Sequence, residues 1–199
     1  MAFVIVGLGN PGKEYEKTRH NAGRMVVELL AKQEGVDAFV LHKASNALVA
    51  KGGVGDISAT FVLPETMMNL SGKAVAAFVK TPKAAKNLIV VHDDLDLPLG
   101  VIKMVVGRGS GGHKGVESIM RAIKTKEFVR VRVGVAPAGR KNQAKKLKDE
   151  EKVIKHVIGK FKPTEEVALK KALKKSVAAV QCLVSEGVSA AMLFANTRT

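Results

Sequence analysis

Apolar positions along the chain form two kinds of pattern, short continuous runs and sets spaced for one face of a helix. The runs at residues 3–6 and 88–91 are rich in β-branched and aromatic residues, which favours strands covered on both faces of an α/β sheet. Between residues 19 and 32 the apolar side chains recur at helical spacing. Further strands are predicted at residues 48–50, 60–63, 101–106 and 128–135, and further helices at 74–79, at 116–123 and from Thr164, the expected N-cap, onward.

Length and composition indicate one domain. With 199 residues, of which 46% are hydrophobic, the chain can bury one sizeable core, so residues 1–199 are expected to form a single α/β domain. The single cysteine, Cys182, excludes an intrachain disulfide and indicates a reducing compartment. The chain enters its first strand almost at once, without a charged leader, and no apolar run reaches membrane-spanning length. We therefore expect a cytoplasmic protein without a membrane partner.

Charge is the strongest global feature of the sequence. The 33 Lys and Arg residues outnumber the 18 Asp and Glu residues, which gives a formal net charge of +15. Residues 139–175 contain 13 basic and 5 acidic side chains, so over half of the excess lies there. Such an excess indicates a polyanionic partner, and with one Tyr and no Trp the contacts should be to phosphates rather than to stacked bases. The alternative is a lysine-rich surface that only keeps the protein in solution.

The first predicted strand ends in a glycine-rich loop that contains Asn10. Gly7, Gly9 and Gly12 fit the G-x-G-x-x-G pattern, so a dinucleotide-binding protein is the first alternative. In that fingerprint the third glycine lies inside a helix that has already begun, whereas Pro11 and Gly12 form a turn and delay the helix by several residues. No second strand with an acidic end follows at the expected distance. The loop therefore favours another kind of ligand site at the end of a strand.

Polar side chains follow a turn or a buried strand at three places in the chain. Asn10 and His20 follow the first strand, Asn69 follows the strand at residues 60–63, and Asp93 follows the strand at residues 88–91. Loops of this kind can converge on one edge of an α/β sheet. A histidine beside a carboxylate can take a proton from water, and asparagine amides can hold the water or donate to a developing oxyanion.

Other readings of the same residues stay open at this point. A lone histidine after a turn is more often a surface or structural residue. A Ser-His-Asp hydrolase lacks support because the chain has no G-x-S-x-G elbow. The five histidines also lack the paired spacing of zinc ligands.

Four separated segments closely resemble, in order and spacing, the motifs of the bacterial-type peptidyl-tRNA hydrolases. They read GLGNPGKEYEKTRHNAG, TMMNLSGKAV, VVHDDLDLPLG and GRGSGGHKGVESI, and the later VRVRVGVAP and VIGKF also match. The resemblance covers nearly the whole chain and implies a single globular domain with a twisted mixed β-sheet surrounded by helices. It further implies a monomeric enzyme that hydrolyses the ester between a peptide and the tRNA 3′-ribose, without metal or cofactor, and so releases tRNA for reuse in translation.

The resemblance also implies roles for residues at matching positions. His20 corresponds to the family's general base, Asp93 to the carboxylate that orients it, and Asn10 and Asn69 to the amides that frame the substrate. The remaining positions implied to contact the substrate are Tyr15, which matches a contact to the tRNA acceptor end, Met68 and His113.

Two positions depart from the family's pattern. Lys114 stands where the family usually has an asparagine that helps to hold the substrate and the water, and a lysine cannot accept a hydrogen bond. Arg132 matches one member of the basic pair that clamps the tRNA 5′-phosphate, but Val105 replaces the other, and Lys103 on the same strand face is expected to substitute. Lys141 and its lysine-rich surroundings are expected to add phosphate contacts. Because of Lys114, a catalytically impaired tRNA- or RNA-binding protein on the same fold is the alternative to an active hydrolase.

Overall fold

A seven-stranded mixed sheet lies at the centre of the computed structural model, which describes residues 2–137, 139, 143–144 and 149–197. The strands are β1 (Phe3–Gly7), β2 (Val40–His42), β3 (Ala47–Val54), β4 (Ile57–Pro64), β5 (Leu88–Pro98), β6 (Ile102–Val106) and β7 (Val129–Ala136). Their order across the sheet is β2-β3-β4-β1-β5-β7-β6. The pairs within β4-β1-β5-β7 are parallel, whereas β2–β3, β3–β4 and β6–β7 are antiparallel. The predicted mixed α/β sheet is therefore confirmed.

Helices cover both faces of this sheet. They are α1 (Ala22–Gln33), α2 (Ser71–Val75), α3 (Lys114–Ile123), α4 (Glu150–Val157), α5 (Glu166–Glu186) and α6 (Val188–Asn196). One core joins Ile5 of β1 to α1, α5 and α6, and the other joins Val6 to α2 and α3. Because successive side chains of a central strand enter opposite cores, the strand reads as a continuous apolar run. None of the helices described is long and apolar enough to cross a membrane.

Helix α1 lies unusually close to the sheet at its first turn. A Cβ on Gly23 would overlap the carbonyl oxygen of Val91 in β5, and a Cβ on Gly7 would lie 2.8 Å from the carbonyl oxygen of Gly23. The N–H of Arg24 donates to the carbonyl of Leu8 at 3.0 Å. Two glycines therefore let the start of α1 sit directly against the ends of β1 and β5.

The structure corrects three boundaries predicted from the sequence. Strand β5 continues to Pro98, so Asp93 lies within the strand rather than after it, and it pairs with Val133 of β7. The C-terminal helical region is interrupted at Gly187, which has a φ of +88° and separates α5 from α6. Thr164 is not the N-cap of α5, because a 3-10 turn at Pro163–Glu165 precedes that helix and Glu165 occupies the cap position.

Two elements were not predicted from the sequence. Helix α4 lies at the end of a lysine-rich stretch that reads as a connection, although two glutamates begin the helix and Lys155 and His156 end it. The edge strand β2 has three exposed residues and so lacks the buried pattern that identifies a strand.

Candidate active site

Polar side chains from separate parts of the chain meet in one open pocket of about 730 Å³. The loop after β1 contributes Asn10, a short 3-10 helix at Arg19–Asn21 carries His20, and β5 carries Asp93. Seven of the residues singled out in the sequence line the pocket: Asn10, His20, Met68, Asn69, Asp93, His113 and Lys114.

His20 and Asp93 form a hydrogen-bonded pair at the pocket floor. Nδ1 of His20 lies 2.9 Å from Oδ1 of Asp93, and the two side chains are 14% and 3% exposed. An ionised carboxylate can only accept, so Nδ1 of His20 carries the proton and donates it. This leaves Nε2 as the acceptor nitrogen of the neutral ring.

The pair shifts both pKa values towards the charged forms. Burial disfavours the imidazolium, but the charge of Asp93 and its hydrogen bond outweigh burial and raise the pKa of His20 above its usual 6.5. Burial also opposes the carboxylate, yet the charges of His20 and His113 and their hydrogen bonds hold the pKa of Asp93 far below its usual range. Asp93 is therefore an anion whenever His20 titrates.

His113 donates to the same carboxylate oxygen from the other side. Its Nε2 lies 2.9 Å from Oδ1 of Asp93, while its Nδ1 accepts from the backbone N–H of Val116 at 3.3 Å. His113 is thus the N-cap of α3. Since a backbone N–H can only donate, the proton of the neutral ring must sit on Nε2. Both nitrogens of His113 are therefore occupied.

His92 lies fully buried beside the pair. Its Nδ1 donates to the backbone carbonyl of Asp93 at 2.7 Å, and its Nε2 lies 3.4 Å from Nη1 of Arg130. Burial, helped by the nearby His113 and Arg130, lowers the pKa of His92 well below its usual 6.5. The ring is therefore neutral and fixed.

Arg130 links this buried histidine to the glycine-rich loop that leads to His113. Its Nη2 donates to the carbonyls of Arg108 and Gly109 at 3.1 and 2.7 Å. Burial and the neighbouring Arg132 lower the pKa of Arg130 to about 10, so the guanidinium remains charged at neutral pH. The position of Arg130 under the loop could not be inferred from the sequence.

Of the three rings around Asp93, one has a free nitrogen. Within the described part of the chain, both ring nitrogens of His113 and His92 have partners, whereas His20 is bonded through Nδ1 alone. A neutral imidazole with a free nitrogen, held by a buried carboxylate at a pocket, can take a proton from a bound water.

Asn10 is fixed by a pair of hydrogen bonds to Asn21. The backbone N–H of Asn10 donates to Oδ1 of Asn21 at 2.9 Å, and Nδ2 of Asn21 donates back to the Asn10 carbonyl at 2.9 Å. Oδ1 of Asn10 then accepts from the N–H of Met68 at 2.8 Å. This last bond sets the orientation of the Asn10 amide and leaves Nδ2 as a donor. Asn21 was missed in the sequence because a polar residue at the start of a helix reads as a cap.

Met68, Asn69 and Lys114 differ in how far they reach into the pocket. Met68 is buried, and its sulfur occupies the space that a Cβ on Gly115 would need. Asn69 and Lys114 are exposed at the rim, in the 3-10 turn after β4 and at the first position of α3. The departure at Lys114 therefore places an ammonium group at the pocket edge.

The remaining predicted residues lie away from the pocket. Tyr15 is half-buried in the turn between Asn10 and His20. Arg132 on β7 donates from Nε to Oδ2 of Asp94 at 2.5 Å, and the exposed Lys103 is its register partner on β6. Lys141 lies outside the residues that the structure describes.

One wall of the pocket comes from α4, which the sequence did not predict. Glu150, Val153, Ile154 and Val157 of this helix line the pocket together with the predicted site residues. The wall is mainly apolar, although the surrounding sequence is lysine-rich. The helical spacing of Val153, Ile154 and Val157 is the only signal in the sequence that could have identified α4.

His20, Asp93 and His113 together offer three atoms of the kinds that bind metal ions. One ring nitrogen of His20, one carboxylate oxygen of Asp93 and one ring nitrogen of His113 lie within 4.8 Å of one another. Both histidines, however, already direct N–H groups at the same oxygen. A cation would have to displace both protons, so the arrangement fits a proton-transfer site better than a metal site.

Comparison with known proteins gives the family. The family model described as "Peptidyl-tRNA hydrolase" matches residues 4–199. The chain belongs to the peptidyl-tRNA hydrolase family. A peptidyl-tRNA hydrolase of Thermodesulfovibrio yellowstonii is 38% identical over 198 residues, which cover 98% of each chain. One from Mycobacterium tuberculosis is 38% identical over 191 residues, covering 95% of this chain and 94% of the relative.

Solved structures agree with this assignment. The crystal structure of peptidyl-tRNA hydrolase from Acinetobacter baumannii superposes with a TM-score of 0.87 at 34% identity, covering 100% of this chain and 96% of the other. As a peptidyl-tRNA hydrolase, the chain hydrolyses the ester bond between the peptide and the tRNA 3′-ribose and frees the tRNA for reuse in translation. Neither the relatives nor the described residues favour the alternative of an impaired RNA-binding protein.

Proposed function

We propose that this peptidyl-tRNA hydrolase activates its water with His20 as the general base. The observation that carries the proposal is that Nε2 of His20 has no partner among the described residues, whereas the other two rings around Asp93 have partners at both nitrogens. A general base must be neutral at working pH and within reach of the substrate. His20 lines the pocket, and its raised pKa makes it a stronger base than a free histidine.

Asp93 orients the ring and stabilises the cation formed during the reaction. When a water oxygen attacks the ester carbonyl carbon, His20 takes a proton from that water and becomes imidazolium. The carboxylate 2.9 Å from Nδ1 stabilises this charge. The imidazolium then gives the proton to the ribose oxygen as the carbon–oxygen bond breaks. The products are a free peptide carboxyl group and a tRNA with an intact terminal hydroxyl.

Asn10 and Asn69 frame the reacting ester. The oxygen of the Asn10 amide is bonded to Met68, so its Nδ2 is the group that can donate to the developing oxyanion. Asn69, exposed at the rim, is suited to hold the substrate or the attacking water. Met68 contributes mainly by fixing Asn10.

The tRNA end of the substrate requires contacts outside the pocket. Tyr15, His113 and Lys114 surround the acceptor end, while Arg132, Lys103 and Lys141 bind phosphates. Arg132 and Lys103 face each other across β6 and β7, which supports a shared phosphate site. The enzyme acts in the cytoplasm as a monomer and uses no metal.

A direct test measures release of deacylated tRNA from N-acetyl-aminoacyl-tRNA. His20→Ala removes the base and should lower turnover by about a hundredfold or more, because general-base catalysis contributes roughly that factor. Binding of tRNA should change little. His42→Ala, an exposed histidine of β2, is the matched control and should keep wild-type turnover. Full activity of the His20 variant would remove His20 from this role.

A further inference from the structure

Arg19, the residue before His20, is bonded through both Nη atoms, whereas its buried Nε has no hydrogen-bond partner among the described residues. Its side chain is 6% exposed, and its Nη1 donates to the carbonyls of Gly159 and Lys160 at 3.1 and 3.0 Å, with a longer contact of 3.5 Å to His156. Nη2 forms an ion pair with Glu165 at 2.7 Å. These partners lie in the last turn of α4 and in the segment that follows it, more than 130 residues further along the chain.

Backbone contacts reinforce the side chain at the same place. The N–H of Arg19 donates to the carbonyl of Gly159 at 3.1 Å, and Thr18 forms an antiparallel bridge with Lys160. The ring of Phe161 lies 5.2 Å from the Arg19 guanidinium. The turn that carries His20 and the end of α4 are therefore joined through both main chain and side chain.

The joined segment ends the helix that forms the apolar wall of the pocket. Val157 is the last residue of α4, and Val153, Ile154 and Val157 line the pocket opposite His20. His156 and Gly159 are where Arg19 binds. A cation bonded to carbonyls at a helix C-terminus is also favoured by the helix dipole.

We infer that Arg19 is a positioning residue that holds the α4 wall at a fixed distance from the catalytic histidine. The clamp sets the width of the pocket and thereby the fit of the substrate. Among the described residues Arg19 forms no hydrogen bond with Asp93, whose carboxylate holds Nδ1 of His20. Loss of Arg19 should therefore weaken substrate binding while leaving the chemistry of His20 largely intact. The inference rests on the proposed role of His20.

Steady-state kinetics on N-acetyl-aminoacyl-tRNA separate this role from a general effect on folding. For Arg19→Gln we expect KM to rise by about tenfold, because the loss of one charged hydrogen-bond network typically weakens binding by about that factor. We expect kcat to fall by less than about threefold and the acidic limb of the pH profile to stay in place. Arg19→Lys should recover part of the KM, because an ammonium can still bind the carbonyls but lacks the fork that also reaches Glu165.

A double-mutant cycle tests whether the effect passes through α4. Ile154→Ala should raise KM in the wild-type background and have much less effect in the Arg19→Gln background, because residues that act through one element are not additive. Amide exchange at residues 150–158 should also accelerate in Arg19→Gln. Independent, multiplicative effects on KM would overturn the inference, as would a fall in kcat with unchanged KM.

Glu165 gives a second approach that leaves Arg19 itself in place. Glu165→Gln should raise KM by about threefold, since it removes the ion pair but keeps the carbonyl contacts. Its neighbour Glu166 forms an exposed pair with Lys170, so Glu166→Gln is the matched control and should keep the wild-type KM. Equal effects at both positions would contradict the inference. His20→Ala in the same assay tests the proposed base separately, because its loss lowers kcat whatever Arg19 does.

Discussion

The three histidines around Asp93 differ in function because their ring protons are fixed by different partners. His113 bonds to Asp93 and to the N–H of Val116, and His92 bonds to a backbone carbonyl and lies beside Arg130, so neither ring has a free nitrogen to take a proton. Among the described residues His20 is hydrogen-bonded only to the carboxylate. One or two hydrogen bonds each thus make one histidine a helix cap and one a buried support, and leave the third with the free nitrogen that the proposed base requires.

The raised pKa of His20 predicts the position of the acidic limb of the pH profile. The active form is the neutral ring, so kcat/KM should rise with pH and reach its plateau only above the usual histidine value of 6.5. Asp93→Asn removes the charge that raises the pKa, so the limb should move to lower pH while the plateau falls by about tenfold. A pH series of kcat/KM for both proteins measures this. A limb that moved upward in Asp93→Asn would reverse the assigned electrostatics.

The same shift has a consequence for stability. A group whose folded pKa is raised stabilises the fold fully below its unfolded pKa, and this contribution is lost as pH rises through the folded value. For His20 the loss therefore occurs above pH 6.5. Asp93, whose pKa is depressed, contributes above its unfolded value near 3.8 and loses that contribution only on acidification.

The compact donor set of His20, Asp93 and His113 allows a test of metal independence. If protons rather than a cation hold these atoms together, prolonged treatment with a chelator should leave turnover unchanged. Added Zn²⁺ should not activate the treated enzyme. Loss of activity on chelation that Zn²⁺ restores would contradict the proposal, because the three donor atoms lie close enough to bind an ion.

For individual residues, the sequence predicts those that line the pocket better than those that hold them in place. The meeting of His20, Asp93, Asn10 and Asn69 at one pocket could be predicted because each follows a turn or an apolar run in the sequence. Asn21 could not, since its function depends on the return of the loop at Asn10 to the start of α1. A hydrogen bond between two loops leaves no periodicity in the sequence.

The position of α1 depends on the absence of a side chain at Gly23. Alanine is normally the better helix former, yet here its Cβ would overlap the Val91 carbonyl of β5. We expect Gly23→Ala to destabilise the protein by about 2 kcal/mol, as overpacking does, and to lower the thermal midpoint by about 5 °C. Activity should fall as well, because the turn that carries His20 leads directly into α1 and would move away from Asp93.

Gly109 provides the control for this substitution. It has no heavy atom within 4 Å of an added Cβ and no positive φ, so Gly109→Ala should leave the midpoint nearly unchanged. Calorimetry on the wild type, Gly23→Ala and Gly109→Ala measures the three thermal midpoints. A Gly23 variant as stable as the wild type would show that α1 does not approach β5 as closely as described.

Whole elements were predictable where they lie in the core and were missed at the surface. The central strands can be recognised in the sequence because burial of both faces makes each of them a continuous apolar run. In helix α4 only Val157 is buried, so the type of most of its residues is set by exposure to solvent rather than by packing. The extension of β5 through its carboxylates was missed because pairing with β7, not residue type, keeps that segment extended.

The charge of the molecule bears on its affinity for tRNA. Lys170, Lys171 and Lys174 of α5 are exposed, as is Lys103 on β6. Arg132 differs, since Asp94 already neutralises part of its charge. The sequence could predict the excess of charge but not this pairing, which depends on the register between β5 and β7.

Salt dependence of tRNA binding tests whether these charges meet phosphates. The logarithm of the binding constant should fall linearly with the logarithm of salt concentration. Lys103→Ala should flatten the slope by about one unit, and Arg132→Ala by less because its charge is already paired. Lys51→Ala, exposed on β3 towards the opposite edge of the sheet, should leave the slope unchanged. A salt-independent wild-type affinity would mean that the charge only keeps the protein dissolved.

The wide separation in sequence of the residues that meet at the pocket also affects how the enzyme is made. β1 cannot complete its parallel pairing until β5 has been synthesised. The glycine-rich loop then bonds to Asp93 through His113, and helix α4, which forms the pocket wall, begins more than 30 residues after that histidine. Nascent chains lengthen by about 5–20 residues per second. While still attached to its own tRNA the growing chain is itself a peptidyl-tRNA, and a nascent chain that ends before His113 lacks part of the hydrogen-bonded cluster around Asp93. We therefore expect such a nascent chain to hydrolyse little peptidyl-tRNA on neighbouring ribosomes.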